Sequence, residues 1–266
     1  MKQIKLTCDR KIKFYNKQKN TFGLLPGPIE IGGSCPGCTR GRGGCWCDES
    51  GAPICYAATC ARIYKAAAKN LKSNQECLLT EDKVKVLIDM LMNFKRETEK
   101  YALKKDLNAK DYMFFRWHWS GDIFSEDYAK AIVKAIKLVP GIRHWIYTRS
   151  FELAKYFSDI PGVICYLSLD PCNWKAGITT LFEDGLWNNN HIKLCFMAKT
   201  SQEVVDVKKY IMAHQSEFGG DEVSLWLNDC GIHSCPVDEK TLNLEFGCSM
   251  CRQCLRPGTG ILWFKT

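Results

Sequence analysis

The chain has 266 residues, enough for one large domain or two small ones, which excludes a miniprotein held together by disulfides. Its 46% hydrophobic residues, 25% charged residues and 9 prolines are typical of a globular protein and exclude long disorder and fibrous repeats. The net charge of +8 permits an anionic partner such as nucleic acid, but it also fits a solvated, lysine-rich surface.

No apolar run reaches the roughly 20 residues that a membrane-spanning helix needs. Residues 1–20 are rich in lysine and lack the apolar stretch of a signal peptide. We therefore expect a cytoplasmic protein without membrane contact. The 16 cysteines favour bound metal or an iron–sulfur cluster, because a reducing cytosol keeps disulfides open.

The first structural feature along the chain is a cysteine-rich loop at residues 35–60. Its glycines and prolines disfavour a regular element, so a bound metal or cluster would have to organise the backbone. Six cysteines lie in it: Cys35, Cys38, Cys45, Cys47, Cys55 and Cys60. Five more lie near the C-terminus, at positions 230, 235, 248, 251 and 254. The other five are interpreted as structural, among them Cys165 and Cys195 inside apolar runs.

Helical and strand patterns alternate after the loop. Helices are predicted over residues 57–71, from an N-cap at Thr80, from about Glu126, over residues 151–157, and from a capping box formed by Thr200 and Glu203. Apolar or aromatic runs predict strands at residues 112–119, 144–148, 163–169, 192–197 and 223–227. A further strand before the cysteine loop is an open alternative.

This alternation predicts an α/β fold with parallel strands joined by right-handed crossovers. Five or six strands are too few for a closed eight-stranded barrel, so we expect an open or partial barrel with its functional residues at the carboxyl ends of the strands. The predicted divisions are an N-terminal lead segment (1–30), the partial barrel (31–230) and a cysteine-rich C-terminal extension (231–266).

Polar residues follow the predicted strands and are the candidate ligand contacts. Within the first strand, Arg116 and His118 share a face under period-two alternation. Each residue alone is as well explained as a polar strand cap, but their convergence favours a site. The candidates are His118, Ser120, Gly121, Asp122, Arg149, Ser168 and Asp170.

Two groups of cysteines are candidate metal sites. In the first, Cys35, Cys55 and either Cys45 or Cys47 would hold an iron–sulfur cluster, with structural zinc as the competing interpretation. In the second, the CxxCxxC spacing and an upstream cysteine supply four ligands for a 4Fe–4S cluster or, less favoured, zinc. This second set is Cys235, Cys248, Cys251 and Cys254, with His233 as a possible substitute ligand.

Together these motifs resemble the radical S-adenosylmethionine (radical SAM) enzymes. The resemblance is closest to phage-encoded radical-SAM-like proteins that combine CPG, CYA, RxHxSGD, YTR and a terminal cysteine set. Here the motifs stand at residues 35–37, 55–57, 116–122 and 147–149, and the similarity covers about residues 30–254.

The resemblance implies a partial (β/α)6 barrel in which three cysteines hold a 4Fe–4S cluster with one open iron. S-adenosylmethionine would bind that iron and, after one-electron reduction, give methionine and a 5′-deoxyadenosyl radical that abstracts hydrogen from a substrate. Ser120, Gly121 and Asp122 would contact the methionine part, while Arg149, Ser168 and Asp170 would line the ribose or carboxylate pocket. A reductant such as a flavodoxin or ferredoxin is implied.

One departure from the family pattern concerns spacing. The family usually has three and then two residues between cluster ligands, whereas nine separate Cys35 from Cys45 and nine more separate Cys45 from Cys55. The alternative function is a zinc- or cluster-stabilised nucleic-acid-binding protein without catalysis, which would stack bases on Trp117, Trp119 and Tyr147. A catalytically inactive barrel that holds metal is the third hypothesis.

Overall fold

A computed structural model describes residues 3–9, 14–15, 17–38, 55–170, 172–198, 200–214, 216, 232–234 and 261–265. These residues form an α/β fold around one sheet. The strands are β1 (Phe114–Trp117), β2 (Arg143–Thr148), β3 (Val163–Leu169), β4 (Ile192–Ala198), β5 (Ile232–Ser234) and β6 (Ile261–Lys265). The helices are α1 (Tyr56–Ile63), α2 (Lys65–Thr80), α3 (Lys83–Lys105), α4 (Glu126–Leu138), α5 (Trp174–Glu183) and α6 (Ser201–Ala213).

The six strands are all parallel and follow the order β1-β2-β3-β4-β6-β5. The segment before the cysteine loop also runs beside β1, where Thr21 bridges Arg116 in parallel orientation. Because all strands point the same way, their carboxyl ends meet at one edge of the sheet. That edge is where the sequence predicted the functional residues.

The two faces of the sheet have different coverings. Side chains on one face, including Ile146, Cys165 and Leu194, join the residues of α3, α4, α5 and α6 in the main hydrophobic core. Alternate residues point to the other face, as the period of two requires. There, Trp145 and Tyr166 belong to a smaller aromatic cluster against which Phe14 packs.

Local signals place several helices where the sequence predicted them. The Ser125 side chain accepts a hydrogen bond from the backbone of Tyr128 and caps α4, and acidic residues occupy the first turn of that helix. Thr200 caps α6 by accepting from the backbone N–H of Glu203, which confirms the predicted start of that helix. The β3 strand has the predicted bounds because apolar side chains are buried on both of its faces.

Several details differ from the prediction. The helix predicted over 57–71 is two helices, because the extended backbone of Tyr64 separates α1 from α2. Thr80 is the last residue of α2, where its hydroxyl donates to the carbonyl of Glu76, and Asp82 caps α3 instead. Helix α5 and strands β5 and β6 were not predicted, and the helix predicted over 151–157 is a 3-10 helix. Residues 112–113 and 118–119 lie outside β1.

The C-terminal part of the chain contributes to the same sheet. Strands β5 and β6 both lie within the range predicted as a cysteine-rich extension, and β6 pairs with β4. The strand predicted at 223–227 lies outside the described residues, and the division into three units stays a prediction. Among the residues that the structure describes, none forms a helix long and apolar enough to cross a bilayer.

Candidate functional site at the strand ends

The segment that leads into the cysteine loop packs against the residues that follow β1. The backbone of Leu24 donates to the carbonyl of Ser120 (2.8 Å), and the Ser120 hydroxyl donates back to the carbonyl of Leu24 (2.9 Å). Ser34 bonds the next carbonyl, that of Leu25, through both its amide and its hydroxyl. Gly121, at φ +82°, lies so close that an added Cβ would fall 2.3 Å from the Ser34 hydroxyl. Only glycine fits this contact.

A tight turn delivers the first cysteine to this place. The amide of Cys35 donates to the carbonyl of Gly27 (3.0 Å), and a Cβ on Gly33 would lie 2.1 Å from that same carbonyl oxygen. Helix α2 supports the turn through Gln75, whose amide group donates to the carbonyls of Gly32 and Gly33. The position of Cys35 is therefore determined by backbone contacts on both sides of the turn.

The second strand meets the same loop at Gly37. A Cβ on Gly37 would lie 3.4 Å from the carbonyl oxygen of Arg149, the residue after β2. Cys35 is almost fully buried, and Cys38 closes a turn onto its carbonyl (3.0 Å). Cys55 precedes α1 and accepts the amide of Thr59 (3.1 Å). The loop thus begins against the ends of β1 and β2 and ends at the start of a helix.

Asp122 links the ends of β1 and β2. Its carboxylate accepts the backbone N–H of Ile123 (2.7 Å), the Thr148 hydroxyl (2.7 Å) and the backbone N–H of Arg149 (2.8 Å). Burial raises its pKa to about 6, against the lowering effect of these hydrogen bonds. Three bonds within the chain occupy most of the acceptor capacity of a carboxylate, so Asp122 acts first on the geometry of the neighbouring strand end.

Arg149 links β2 to β3 in turn. Its guanidinium contacts Asp170, with 2.6 Å between Nη1 and Oδ2, and the Asp170 side chain is fully buried. The other carboxylate oxygen of Asp170 accepts the backbone N–H groups of Cys172 (2.8 Å) and Asn173 (3.1 Å), just before α5. The three strand ends are therefore joined by Asp122, Arg149 and Asp170, all of which the sequence nominated.

Ser168 lies two residues before Asp170, on the sheet face that the helices do not cover. It is partly buried, and its carbonyl accepts the side-chain amide of Asn173 (3.2 Å). The structure places Ser168 beside the Arg149–Asp170 pair along the chain and in register with Cys195 of β4.

His118 does not share a face with Arg116, contrary to the sequence interpretation. The strand ends at Trp117, and the left-handed φ of +54° at His118 interrupts the alternation. His118 is buried, with Nε2 2.7 Å from the Tyr128 hydroxyl, and desolvation lowers its pKa to about 3. Arg116 instead pairs with Asp9 at 2.5 Å.

Several buried polar residues of the core carry no signal in the sequence that would single them out. Tyr128 and His144 lie in periodic apolar patterns that gave no reason to single them out, and Asp9 is separated from Arg116 by more than a hundred residues. His144 accepts the indole N–H of Trp117 through Nδ1 (3.1 Å). Trp117 itself is fully buried, so it cannot stack on a base as the nucleic-acid hypothesis required.

The family Gene product 88 (GP88) matches residues 2–236 of the chain. The chain belongs to the GP88 family. It is 30% identical over 185 residues to the Gene 88 protein of Mycobacterium phage L5, covering 65% of this chain and 70% of that protein. The Gene 88 protein of Mycobacterium phage D29 gives the same identity and coverage. No solved structure matches the chain.

The GP88 match contains the whole strand-end network and the first cysteine loop, and it ends between Cys235 and Cys248. Within the part of the GP88 chain that the structure describes, no three His, Cys, Asp or Glu side chains are grouped as metal ligands. Six nominated ligands lie outside that part: Cys45, Cys47, Cys235, Cys248, Cys251 and Cys254.

Proposed function

We propose that this GP88 protein is a radical SAM enzyme that uses a 4Fe–4S cluster to cleave S-adenosylmethionine and abstract hydrogen from a substrate. The observation that carries the proposal is that the cysteine loop and the residue before it, Ser34, meet the ends of β1 and β2. Ser34 packs against Gly121, and Gly37 packs against Arg149. Motifs that are more than 80 residues apart in the sequence are thus adjacent at one edge of the sheet.

The sheet supports the proposed partial (β/α)6 barrel. Six parallel strands carry helices on one face, and the other face, where the smaller aromatic cluster lies, would be the barrel interior. One feature departs from a consecutive barrel order, because β6 lies between β4 and β5.

Cysteine suits the proposed cluster, because iron–sulfur clusters require cysteine thiolates, and Cys35 lies beside the ends of β1 and β2. Cys35 and Cys55 would hold it together with Cys45 or Cys47. When bound and reduced, the cluster would supply one electron to the carbon–sulfur bond of S-adenosylmethionine, which gives methionine and the 5′-deoxyadenosyl radical.

The chain's own residues would bind and orient the cofactor. Arg149 carries positive charge at this edge, and its pairing with Asp170 fixes where the guanidinium lies. In the proposal it attracts the carboxylate of the methionine part. Asp122 holds the backbone of Arg149 in place, while the Ser120–Leu24 bonds fix the β1 end. Ser168 is the residue proposed to line the pocket beside the ribose. His118 is buried, and in the proposal it packs beneath the cofactor pocket.

The C-terminal cysteines form the second part of the proposal. Strand β5 ends at Ser234, so the chain enters the segment that begins with Cys235 at the same edge of the sheet. We assign Cys235, Cys248, Cys251 and Cys254 to an auxiliary 4Fe–4S cluster or a zinc ion. Four cysteines complete the coordination of either, which favours a role in electron relay or structure. The electron donor would be a flavodoxin or ferredoxin.

The test is product formation by the full chain after anaerobic reconstitution with iron and sulfide. With dithionite and S-adenosylmethionine, the wild-type protein is expected to form 5′-deoxyadenosine, and Cys55→Ala is expected to abolish it. Cys8→Ala, an exposed cysteine outside the loop, serves as the control and should retain the product. Cys254→Ala should leave the spectrum of the first cluster intact.

Two results would contradict this function. One is undiminished product in the Cys55→Ala variant, which would refute the ligand assignment. The other is a protein that binds zinc at the first loop and gives no product, which would favour the non-catalytic alternative.

A further inference from the structure

The surface that follows the cysteine loop is strongly basic. From Tyr56 to Gln75 the chain carries four positive residues and no Asp or Glu. Three of them, Lys65, Lys69 and Lys72, recur at helical spacing along α2. All three are exposed, while Asn74 on the opposite side of the helix is buried. They therefore form one stripe that points away from the protein.

Little on the protein neutralises this stripe. Lys72 lies 3.9 Å from Glu76, and both side chains are well exposed, so the pair is weak. Lys65 and Lys69 form no ion pair with any residue that the structure describes. Neither α1 nor α2 has an acidic residue in its first turn, in contrast to α4 with Glu126 and Asp127. Lys65, in the first turn of α2, opposes the helix dipole, so helix stability does not explain its position.

Aromatic and apolar side chains are exposed at the head of the stripe. Tyr64 stands at the junction of α1 and α2 and is 61% exposed, and its neighbour Ile63 is 59% exposed. Arg62 adds a fourth positive charge there and is exposed as well. An exposed tyrosine beside basic side chains offers a stacking surface next to phosphate-binding groups.

We propose that this surface, formed by Arg62, Tyr64, Lys65, Lys69 and Lys72, binds single-stranded nucleic acid. Neighbouring lysines of the stripe are about 5–6 Å apart at their Cβ atoms, so each ammonium group can contact a different phosphate. Tyr64 stacks on an unpaired base. The exposed aromatic ring favours nucleic acid over an acidic protein, which charge alone would also satisfy.

Nucleic-acid binding by this surface requires neither the iron–sulfur cluster nor S-adenosylmethionine. Helix α1 begins at the residue after Cys55, so a single-stranded nucleic acid bound to this surface would pass the end of the cysteine loop. If the proposed function holds, single-stranded nucleic acid is the class of substrate. This assignment of the substrate rests on the proposed function, whereas the binding does not.

The test is a fluorescence anisotropy titration of the full chain with a labelled 20-nucleotide single-stranded DNA, without S-adenosylmethionine. The triple variant Lys65→Gln/Lys69→Gln/Lys72→Gln should lose at least tenfold in affinity at 50 mM salt. Its slope of log affinity against log salt should be shallower by about 2. Glutamine keeps helix propensity, so folding is preserved. RNA of the same sequence and the matching duplex form the comparison arms.

The matched control is Lys104→Gln/Lys134→Gln/Lys137→Gln, which removes the same charge from exposed positions on α3 and α4. It should keep wild-type affinity within about twofold and an unchanged salt slope. Tyr64→Ala should weaken single-strand binding about fivefold or more and leave duplex binding unchanged, and Tyr64→Phe should restore it.

Three outcomes would overturn the proposal: equal weakening by the two triple variants, no effect of the α2 variant, or binding of polyglutamate in preference to all three nucleic acids. Because the titration needs no cofactor, a failure here is distinguishable from a failure to form 5′-deoxyadenosine.

Discussion

Arg149 and Asp170 form an ion pair that joins the end of β2 to the end of β3, with 2.6 Å between Nη1 and Oδ2. Asp170 is fully buried and the Arg149 side chain is 15% exposed, so solvent screens the pair little. Through the Asp122 carboxylate the same arginine is held to the end of β1. The three strand ends are therefore linked through Asp122, Arg149 and Asp170.

Breaking this pair should destabilise the protein strongly. In Asp170→Asn, the amide oxygen can still accept the backbone N–H groups of Cys172 and Asn173, while the amide NH2 group replaces the oxygen that pairs with Arg149. We expect a loss of about 3 kcal/mol in the free energy of unfolding, measured by urea denaturation, because a buried guanidinium is left uncompensated. Asp184→Asn breaks the more exposed contact with Lys155 and should cost less than about 1 kcal/mol. Similar losses in the two variants would argue against a coupled strand-end unit.

Asp122 should contribute a distinct pH dependence. Its pKa is raised from 3.8 to about 6 in the folded protein, so the folded state binds its proton more tightly than the unfolded state. Its contribution to stability is present at low pH and is lost as the pH rises from about 4 to about 6. The free energy of unfolding of Asp122→Asn, relative to that of wild type, should therefore rise by up to about 3 kcal/mol from pH 4 to pH 6.5. Urea titrations of both proteins across this range measure the difference, and a constant difference would disprove the assignment.

His144 should act in the opposite direction. Burial lowers its pKa from 6.5 to about 3, so the folded state keeps it neutral while the unfolded state takes up a proton. Its contribution is full above pH 6.5 and is lost as the pH falls toward 3. Between pH 7 and pH 4.5, the free energy of unfolding of His144→Gln should fall by about 2–3 kcal/mol less than that of wild type. If both proteins lose the same stability on acidification, another group is responsible.

The Gly121 contact should be necessary for the cysteine loop. In Gly121→Ala, the new Cβ would lie 2.3 Å from the Ser34 hydroxyl and 2.7 Å from the Leu24 Cβ. Gly141→Ala is the matched control: its φ of +89° is similar, but its nearest atom, Lys95 Nζ, is 3.9 Å away. We expect about 1 kcal/mol of backbone strain in both variants and a further 1–3 kcal/mol, roughly, in Gly121→Ala alone.

Iron content after reconstitution supplies a second measurement for the same pair of variants. Gly121→Ala should retain less iron than Gly141→Ala, because the displaced Ser34 carries Cys35 with it. Equal iron content in the two variants would show that the Gly121 contact is not needed for the cysteine loop to bind iron.

Strands and helices with strong local signals could be predicted from the sequence. The β3 residues are apolar in an unbroken run because both faces of the strand are buried, and α4 carries a serine cap followed by two acidic residues. Helix α5 could not be found this way. Its Gly177 is a poor helix former, yet a Cβ there would meet the Leu169 side chain at 2.3 Å, so tertiary packing selects the glycine.

Some features of the candidate site could likewise be predicted from the sequence, and others could not. Asp122, Arg149 and Asp170 could be nominated because polar residues at the ends of parallel strands converge at one edge. That Asp122 turns its carboxylate toward Thr148 and Arg149 depends on side-chain geometry that no spacing encodes. The departure of His118 from alternation depends on one left-handed residue. The exchanged positions of β5 and β6 reflect long-range pairing of short strands, for which the sequence carries little signal.

The most direct test of the central claim is the electron paramagnetic resonance spectrum of the reduced, reconstituted full chain before and after S-adenosylmethionine is added. An iron with an open coordination position predicts a 4Fe–4S signal whose g values shift on addition, and the shift should vanish in Cys55→Ala. A reduced protein whose signals are unchanged by S-adenosylmethionine, or one that carries only zinc at the first cysteine loop, would contradict the account.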